Sequence, residues 1–169
     1  MKKQHTLVLS LLSLSLIFTG CAHYQAGTGN KTPYSSIAFA PIQNKSFAPQ
    51  MHTLLTDSLF RNFAQGGGMA VEKESDQPDV VLHVTITDFN KYMGATSATD
   101  SGRARSLGMT LKANATLTDT AGKVLYSQDF DVYKEFYADS GMSRAESQGL
   151  PQLADDMAQK IYRAVVSKW

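Results

Sequence analysis

The most regular pattern in this chain is an alternation. From Ser106 to Thr118, Leu107, Met109, Leu111, Ala113, Ala115 and Leu117 share one parity. Ser106, Gly108, Thr110, Lys112, Asn114, Thr116 and Thr118 share the other. Successive side chains of a strand point to opposite faces, so this spacing predicts a half-buried antiparallel strand. Val80–Tyr92 repeats it, with Val80, Leu82, Val84 and Ile86 set against Val81, His83, Thr85 and Thr87. Asp119-Thr120-Ala121-Gly122 reads as a hairpin turn. Lys123–Tyr137 is the returning strand, with Val124, Tyr126, Phe130 and Val132 in phase. Ser36–Ala40 is a short strand ended by Pro41, and Met69–Lys73 reads as a further short strand. Gly94–Gly102 is a polar loop.

Two segments switch to steps of three and four. Pro49–Gln65 follows a polar turn at Asn44–Pro49 and places Met51, Leu54, Leu55, Leu59 and Phe63 on one helical face. Gly66-Gly67-Gly68 stops it. Pro151–Lys168 places Leu153, Ala154, Met157, Ala158, Ile161, Val165 and Trp169 on one face. Pro151 fits a first helical turn. Gly149 reads as a break and Arg144–Gln148 as a preceding turn. Two helices with one apolar face each need a sheet with an apolar face. The predicted fold is therefore α+β: a two-layer sandwich with about four strands and both amphipathic helices on one side.

The N-terminus follows neither pattern. Lys2 and Lys3 precede an apolar run from Leu7 to Phe18, interrupted only by serines. A dozen residues is too short for a ~30 Å hydrocarbon core and right for a signal-peptide h-region. Phe18-Thr19-Gly20-Cys21 resembles the lipobox of bacterial lipoproteins, in which the cysteine becomes the acylated N-terminus after cleavage. By that resemblance residues 1–20 are a signal peptide and Cys21 carries the lipid. Several acyl chains on one terminus anchor a protein stably. Ala22, standing where an aspartate would imply inner-membrane retention, favours the outer membrane. Residues 21–33, rich in Gly, Thr, Asn and Gln, read as a tether, and 34–169 as the single folded domain.

Charge and chemistry narrow the function. The 169 residues carry 16 Lys+Arg and 15 Asp+Glu. Loss of Lys2 and Lys3 leaves 14 basic groups against 15 acidic. Neither balance makes an electrostatic case for nucleic acid. The chain has 1 cysteine, which excludes an internal disulfide and any multi-cysteine metal site. No nucleophile elbow, zinc-protease or phosphate-loop motif occurs. His83 lies mid-strand, and Asp155 and Asp156 diverge by about 100° on a helix. No enzyme, cofactor or metal is expected. Two binding candidates remain. One is the polar parity of the alternating strand, represented by Thr110, Asn114 and Thr116, a face able to dock on a polar wall or simply to meet water. The other is basic: Lys91, Arg103, Arg105 and Lys112 around the polar loop, candidates for phosphate.

In order, these segments resemble the lipopolysaccharide-assembly lipoprotein family LptE. The resemblance rests on Gly20-Cys21, on Ile37–Ser46 with its Pro-x-x-Asn-x-Ser turn, and on Asp79-Val80-Val81-Leu82. It rests also on the Asp-x-x-Gly-x-x-Leu hairpin at Asp119–Leu125 and on the final helix Leu153–Ile161. The family implies a non-enzymatic outer-membrane lipoprotein, periplasm-exposed, that plugs the LptD-type β-barrel and assists delivery of lipopolysaccharide. Its partners would then be that barrel and lipopolysaccharide, with Lys91, Arg103, Arg105 and Lys112 the candidates for the phosphates. Other readings of the same residues are a lipoprotein of a different envelope assembly system, such as a curli-type pore lipoprotein, and a generic tethered binding domain.

Overall fold

A computed structural model describes residues 32–48, 50–94, 106–138 and 141–169. Strand β1 (Ser36–Phe39) is followed by the two-residue β2 (Gln43–Asn44) and helix α1 (Met51–Gly66). Then come β3 (Ala70–Val71), a 3-10 turn at Glu74–Asp76, and β4 (Val80–Met93). Strands β5 (Ser106–Asp119) and β6 (Val124–Tyr137) precede helix α2 (Met142–Ser167). The sheet has six strands, in the order β3-β1-β4-β5-β6, with β2 also beside β4. It is mixed: β1 and β2 run parallel to β4, and the β4-β5-β6 meander is antiparallel. The expected count of about four understates the sheet: β3 falls within the short strand read at Met69–Lys73, and β2, at two residues, is too short to carry a period.

Both helices lie on the apolar side of the meander. Met51, Leu55, Leu59 and Phe63 of α1 are buried with Leu153, Met157, Ile161 and Val165 of α2. They cover Val80, Leu82, Val84 and Ile86 of β4 and the six apolar positions Leu107–Leu117 of β5. Helix α2 begins nine residues before the sequence expectation and runs through both Gly149 and Pro151. The reason is packing. Ala145 and Gly149 extend the buried stripe, and a Cβ on Gly149 would stand 2.3 Å from Met109 Cε and 2.7 Å from the Phe136 ring. Glycine is there because the helix touches the sheet, not because the helix ends. Burial of that stripe outweighs the ~3 kcal/mol an interior proline costs.

Two irregularities redirect side chains. A bulge at Thr87, between Ile86 and Asp88, changes the parity of β4. Beyond it Phe89, Lys91 and Met93 take the helix side, while Asp88, Asn90 and Tyr92 take the open side. A second shift lies where Leu117 pairs Tyr126 but Thr118 pairs Val124. It turns Leu125 toward the core and leaves Val124 exposed, against the expected phase.

The motifs quoted above prove to be joints. Asn44 Oδ1 accepts from Ser46 N–H at 3.0 Å and from Ser46 Oγ–H at 2.7 Å, and Asn44 Nδ2 donates to the Ala48 carbonyl at 2.8 Å. Asp79 accepts from the backbone of Ser35 and Ser36 at 2.7 and 3.1 Å, tying the start of β1 to β4. Asp119 Oδ1 accepts from Ala121 and Lys123 N–H, both at 2.9 Å, and Gly122 sits at φ 78°, the left-handed region this turn requires.

Candidate docking surface

The helices leave one face of the meander open. Its side chains come from the polar parities: Val81, His83 and Thr85 of β4 below the bulge, Asp88, Asn90 and Tyr92 above it. From β5 come Ser106 to Thr118, and from β6 Ser127 to Tyr137. Many of them bond one another. His83 Nε2 lies 3.2 Å from Thr118 Oγ1, and Thr116 Oγ1 lies 2.8 Å from Ser127 Oγ. Asn114 Nδ2 donates to Asp129 Oδ1 at 2.8 Å, and Thr116 Oγ1 donates to Asn114 Oδ1 at 3.0 Å. Asn90 Nδ2 donates to Asp88 Oδ2 at 2.7 Å. These bonds fix rotamers on a surface that no described helix or loop covers, so the face presents an ordered array of hydroxyls, amides and carboxylates.

The three expected docking residues Thr110, Asn114 and Thr116 all lie on this face, in register with Tyr133, Asp129 and Ser127. The basic candidates do not gather. Lys91 pairs in register with the buried Met109, leaves the sheet on the helix side, and holds Glu146 of α2 at 2.9 Å. It borders a cleft of about 330 Å³ with Tyr92, Met93, Leu107, Met142 and Glu146. Lys112 points the opposite way, flanked in register by Asp88 and Asp131. The Thr87 bulge separates the pair, and in the sequence it shows only as two successive polar residues, Thr87 and Asp88, after the alternating run. Arg103, Arg105 and Cys21 lie outside the described residues. Among the described residues Asp88, Asp129, Asp131 and Glu135 outnumber Lys112 on the open face, and only Asp131 has a further cation, Lys160 at 3.6 Å, so these residues make the face acidic.

Sequence reasoning passed over the aromatic end of this face. Tyr92 and Tyr133 stack with centroids 5.6 Å apart and planes within 7°. Partial removal from water, a hydrogen bond with Tyr92 and the charge of Glu135 push the Tyr133 phenol above its ordinary value. Tyr133, Glu135 and Tyr137 alternate in the sequence, which was the available signal. Away from this face, His52 is exposed on α1, and Asp155 and Asp156 serve different partners, Arg61 at 3.7 Å and Lys134 at 2.6 Å. Among the described residues no group of three or more His, Cys, Asp or Glu is placed to hold a metal ion. Nor is any described helix long and apolar enough to cross a membrane.

A two-layer α+β unit that hides one sheet face under helices and leaves the other polar and ordered is built to dock or to bind. The chain matches the LptE family model, described as lipopolysaccharide-assembly, over residues 34–165. It belongs to the LptE family. Among curated proteins none matches the chain. Its fold is similar to that of three solved structures. Protein XCC0632 from Xanthomonas campestris has a TM-score of 0.61 at 15% identity, over 81% of this chain and 86% of that one. The uncharacterized lipoprotein B from Nitrosomonas europaea gives 0.59 at 18%, over 83% and 88%. A putative lipoprotein from Caulobacter crescentus gives 0.50 at 15%, over 75% and 88%.

Proposed function

We propose that this chain is an outer-membrane lipoprotein that plugs an LptD-type β-barrel and assists lipopolysaccharide assembly at the cell surface, without enzymatic activity of its own. In this reading residues 1–20 are removed, Cys21 is acylated, and residues 21–33 tether the domain 34–169. Family membership supports the role in lipopolysaccharide assembly. The open sheet face is the observation that carries the plug reading. Its polar groups already bond one another, so contact with a second polar surface strips little unsatisfied hydration from it. The lumen of an outer-membrane barrel is such a surface. A lipid-facing role is disfavoured by the same groups, since carboxylates and amides are costly in hydrocarbon.

Lipopolysaccharide phosphates would meet the loop end, where Lys91 stands beside the Gly94–Gly102 loop and Arg103 and Arg105 follow it. Lys112, between two aspartates, is left out of this set. The test of the partnership is affinity purification from outer membranes. Co-purification of a large β-barrel in one-to-one ratio is the expected result, and its absence refutes the plug reading. Reversing the charge of Arg103 and Arg105 together should weaken lipopolysaccharide binding several-fold at low salt, and unchanged binding removes those residues from the contact.

A further inference from the structure

At the loop end of the open face three tyrosines gather on one side of the sheet. Tyr92 pairs in register with Gly108, and Gly108 with Glu135, while Tyr133 and Tyr137 stand one step either way along β6. The Tyr92 ring lies across Gly108. A Cβ there would fall 2.5 Å from its Cε2, so only glycine lets the ring settle on the strand. Covering a strand glycine with a cross-strand ring is a known stabilising device, and one ring suffices for it. Here a second ring lies parallel to the first, and a third is free. Tyr92 is 48% exposed, Tyr133 49% and Tyr137 85%. No helix, loop or ion pair among the described residues takes up the outer surface they create.

We propose that Tyr92 and Tyr133, seated on Gly108, form a binding platform for an uncharged pyranose ring. A pyranose presents an apolar face of C–H groups, weakly positive, and an equator of hydroxyls. The negative π-face of a tyrosine suits the first. Acceptors beside the platform suit the second: the Glu135 carboxylate, the tyrosine hydroxyls and the Asp88–Asn90 pair. Charge narrows the class further. Among the described residues, Asp88 and Glu135 flank the rings and the nearest cation on this face, Lys112, stands in register between Asp88 and Asp131, so the platform itself favours an uncharged ring, the Lys91, Arg103 and Arg105 set proposed above for phosphates belonging to the neighbouring segment. Stacking holds the two rings in place before the ligand arrives, which limits the entropy lost on binding. The proposal stands apart from the barrel reading, because it needs only this chain.

The full chain, purified in a zwitterionic detergent without a sugar headgroup, is titrated with maltotriose and with methyl β-D-glucopyranoside, glucose 6-phosphate serving as the anionic comparison. Saturation-transfer NMR should show the sugar ring C–H protons in contact with protein, and the amide signals of Tyr92, Gly108 and Tyr133 should move. Tyr92→Ala and Tyr133→Ala should each weaken binding at least tenfold, while Tyr133→Phe keeps the ring and most of the affinity. Emission from Trp169, at the opposite end of the sheet, reports whether each variant is folded without sensing the sugar. The wild-type titration decides the case even where a variant fails to fold. No transfer and no shift at the three residues overturns the proposal, as does tighter binding of glucose 6-phosphate. Parallel arms with neutral oligosaccharide released from lipopolysaccharide and with the β-1,4-linked N-acetylglucosamine dimer, an uncharged stand-in for the peptidoglycan backbone, separate the two envelope sources of such rings.

Discussion

Asn44 offers the sharpest test of how the turn before α1 is built. Its amide makes three hydrogen bonds, two received at Oδ1 from Ser46 and one given by Nδ2 to the Ala48 carbonyl. Ser46 Oγ accepts in turn from Ala48 N–H at 3.2 Å, closing the loop. Ala48 is 1% exposed, so its carbonyl has no ready substitute partner. A net hydrogen bond is worth about 0.5–1.5 kcal/mol, and a buried group left unpaired costs about 1–3 kcal/mol. Asn44→Ala should therefore destabilise by about 2–3 kcal/mol. Asn44→Asp keeps the acceptor for Ser46 but sets a second acceptor oxygen against the Ala48 carbonyl, so it should gain little over alanine and also cost about 2–3 kcal/mol. Urea unfolding measures both, and with a slope of about 1.5–2 kcal/mol per molar the alanine variant should lose more than ~1 M in midpoint. Ser46→Ala breaks the same loop, so the Asn44→Ala/Ser46→Ala double variant should cost less than the two singles together. An aspartate variant as stable as the parent, or an alanine loss below about 0.5 kcal/mol, would refute the argument.

Two further outcomes follow from packing and from titration. Gly149→Ala gains about 1 kcal/mol of helix propensity but drives a methyl into Met109 and Phe136, where overpacking costs about 1–3 kcal/mol. The midpoint of thermal unfolding should fall by about 2–4 °C, and an unchanged or raised midpoint means that the sheet gives way. The Tyr133 phenol, held above its ordinary 10.0, stays protonated in the folded chain when the unfolded chain has begun to ionise. The folded state then binds more protons, so its contribution is complete below pH 10 and is lost as the pH climbs through the raised value. Ultraviolet titration should show two late-ionising tyrosines, Tyr126 held up by burial and Tyr133, of which Glu135→Gln brings only Tyr133 earlier, and no change with that variant removes Glu135 as a cause.

Legibility in the sequence followed burial. The alternation of β5 was plain because one face is sealed by two helices and the other meets water. The stripes of α1 and of the second half of α2 were plain for the same reason. The first half of α2 was hidden because Gly149 and Pro151 are helix breakers by local propensity, and only the sheet beneath them explains their presence. The bulge at Thr87 left only a faint trace, two successive polar residues, Thr87 and Asp88, before the apolar phase resumes at Phe89. Lys91 and Lys112 were grouped because both lie near the polar loop in sequence, and the bulge helps send them to opposite faces. Tyr92 and Tyr133 were unremarked because their meeting depends on the same bulge and on a register between distant strands. Short motifs around Asn44, Asp79 and Asp119 were recognisable as text, and the hydrogen bonds now give each a mechanical reason.

The meander also has a length. Strands β4, β5 and β6 have 14 residues each, which at ~3.3 Å per residue is about 46 Å. Thr32 enters at one end, where its hydroxyl donates to the Gly68 carbonyl, and the tyrosines stand at the other. A lipid bilayer with its headgroups is about 40–45 Å thick. Under the proposed anchoring, a domain held upright by its Thr32 end at one surface of a membrane would present Tyr92, Tyr133 and Tyr137 at the level of the opposite surface. No sliding or unfolding would then be needed for one molecule to touch both sides at once.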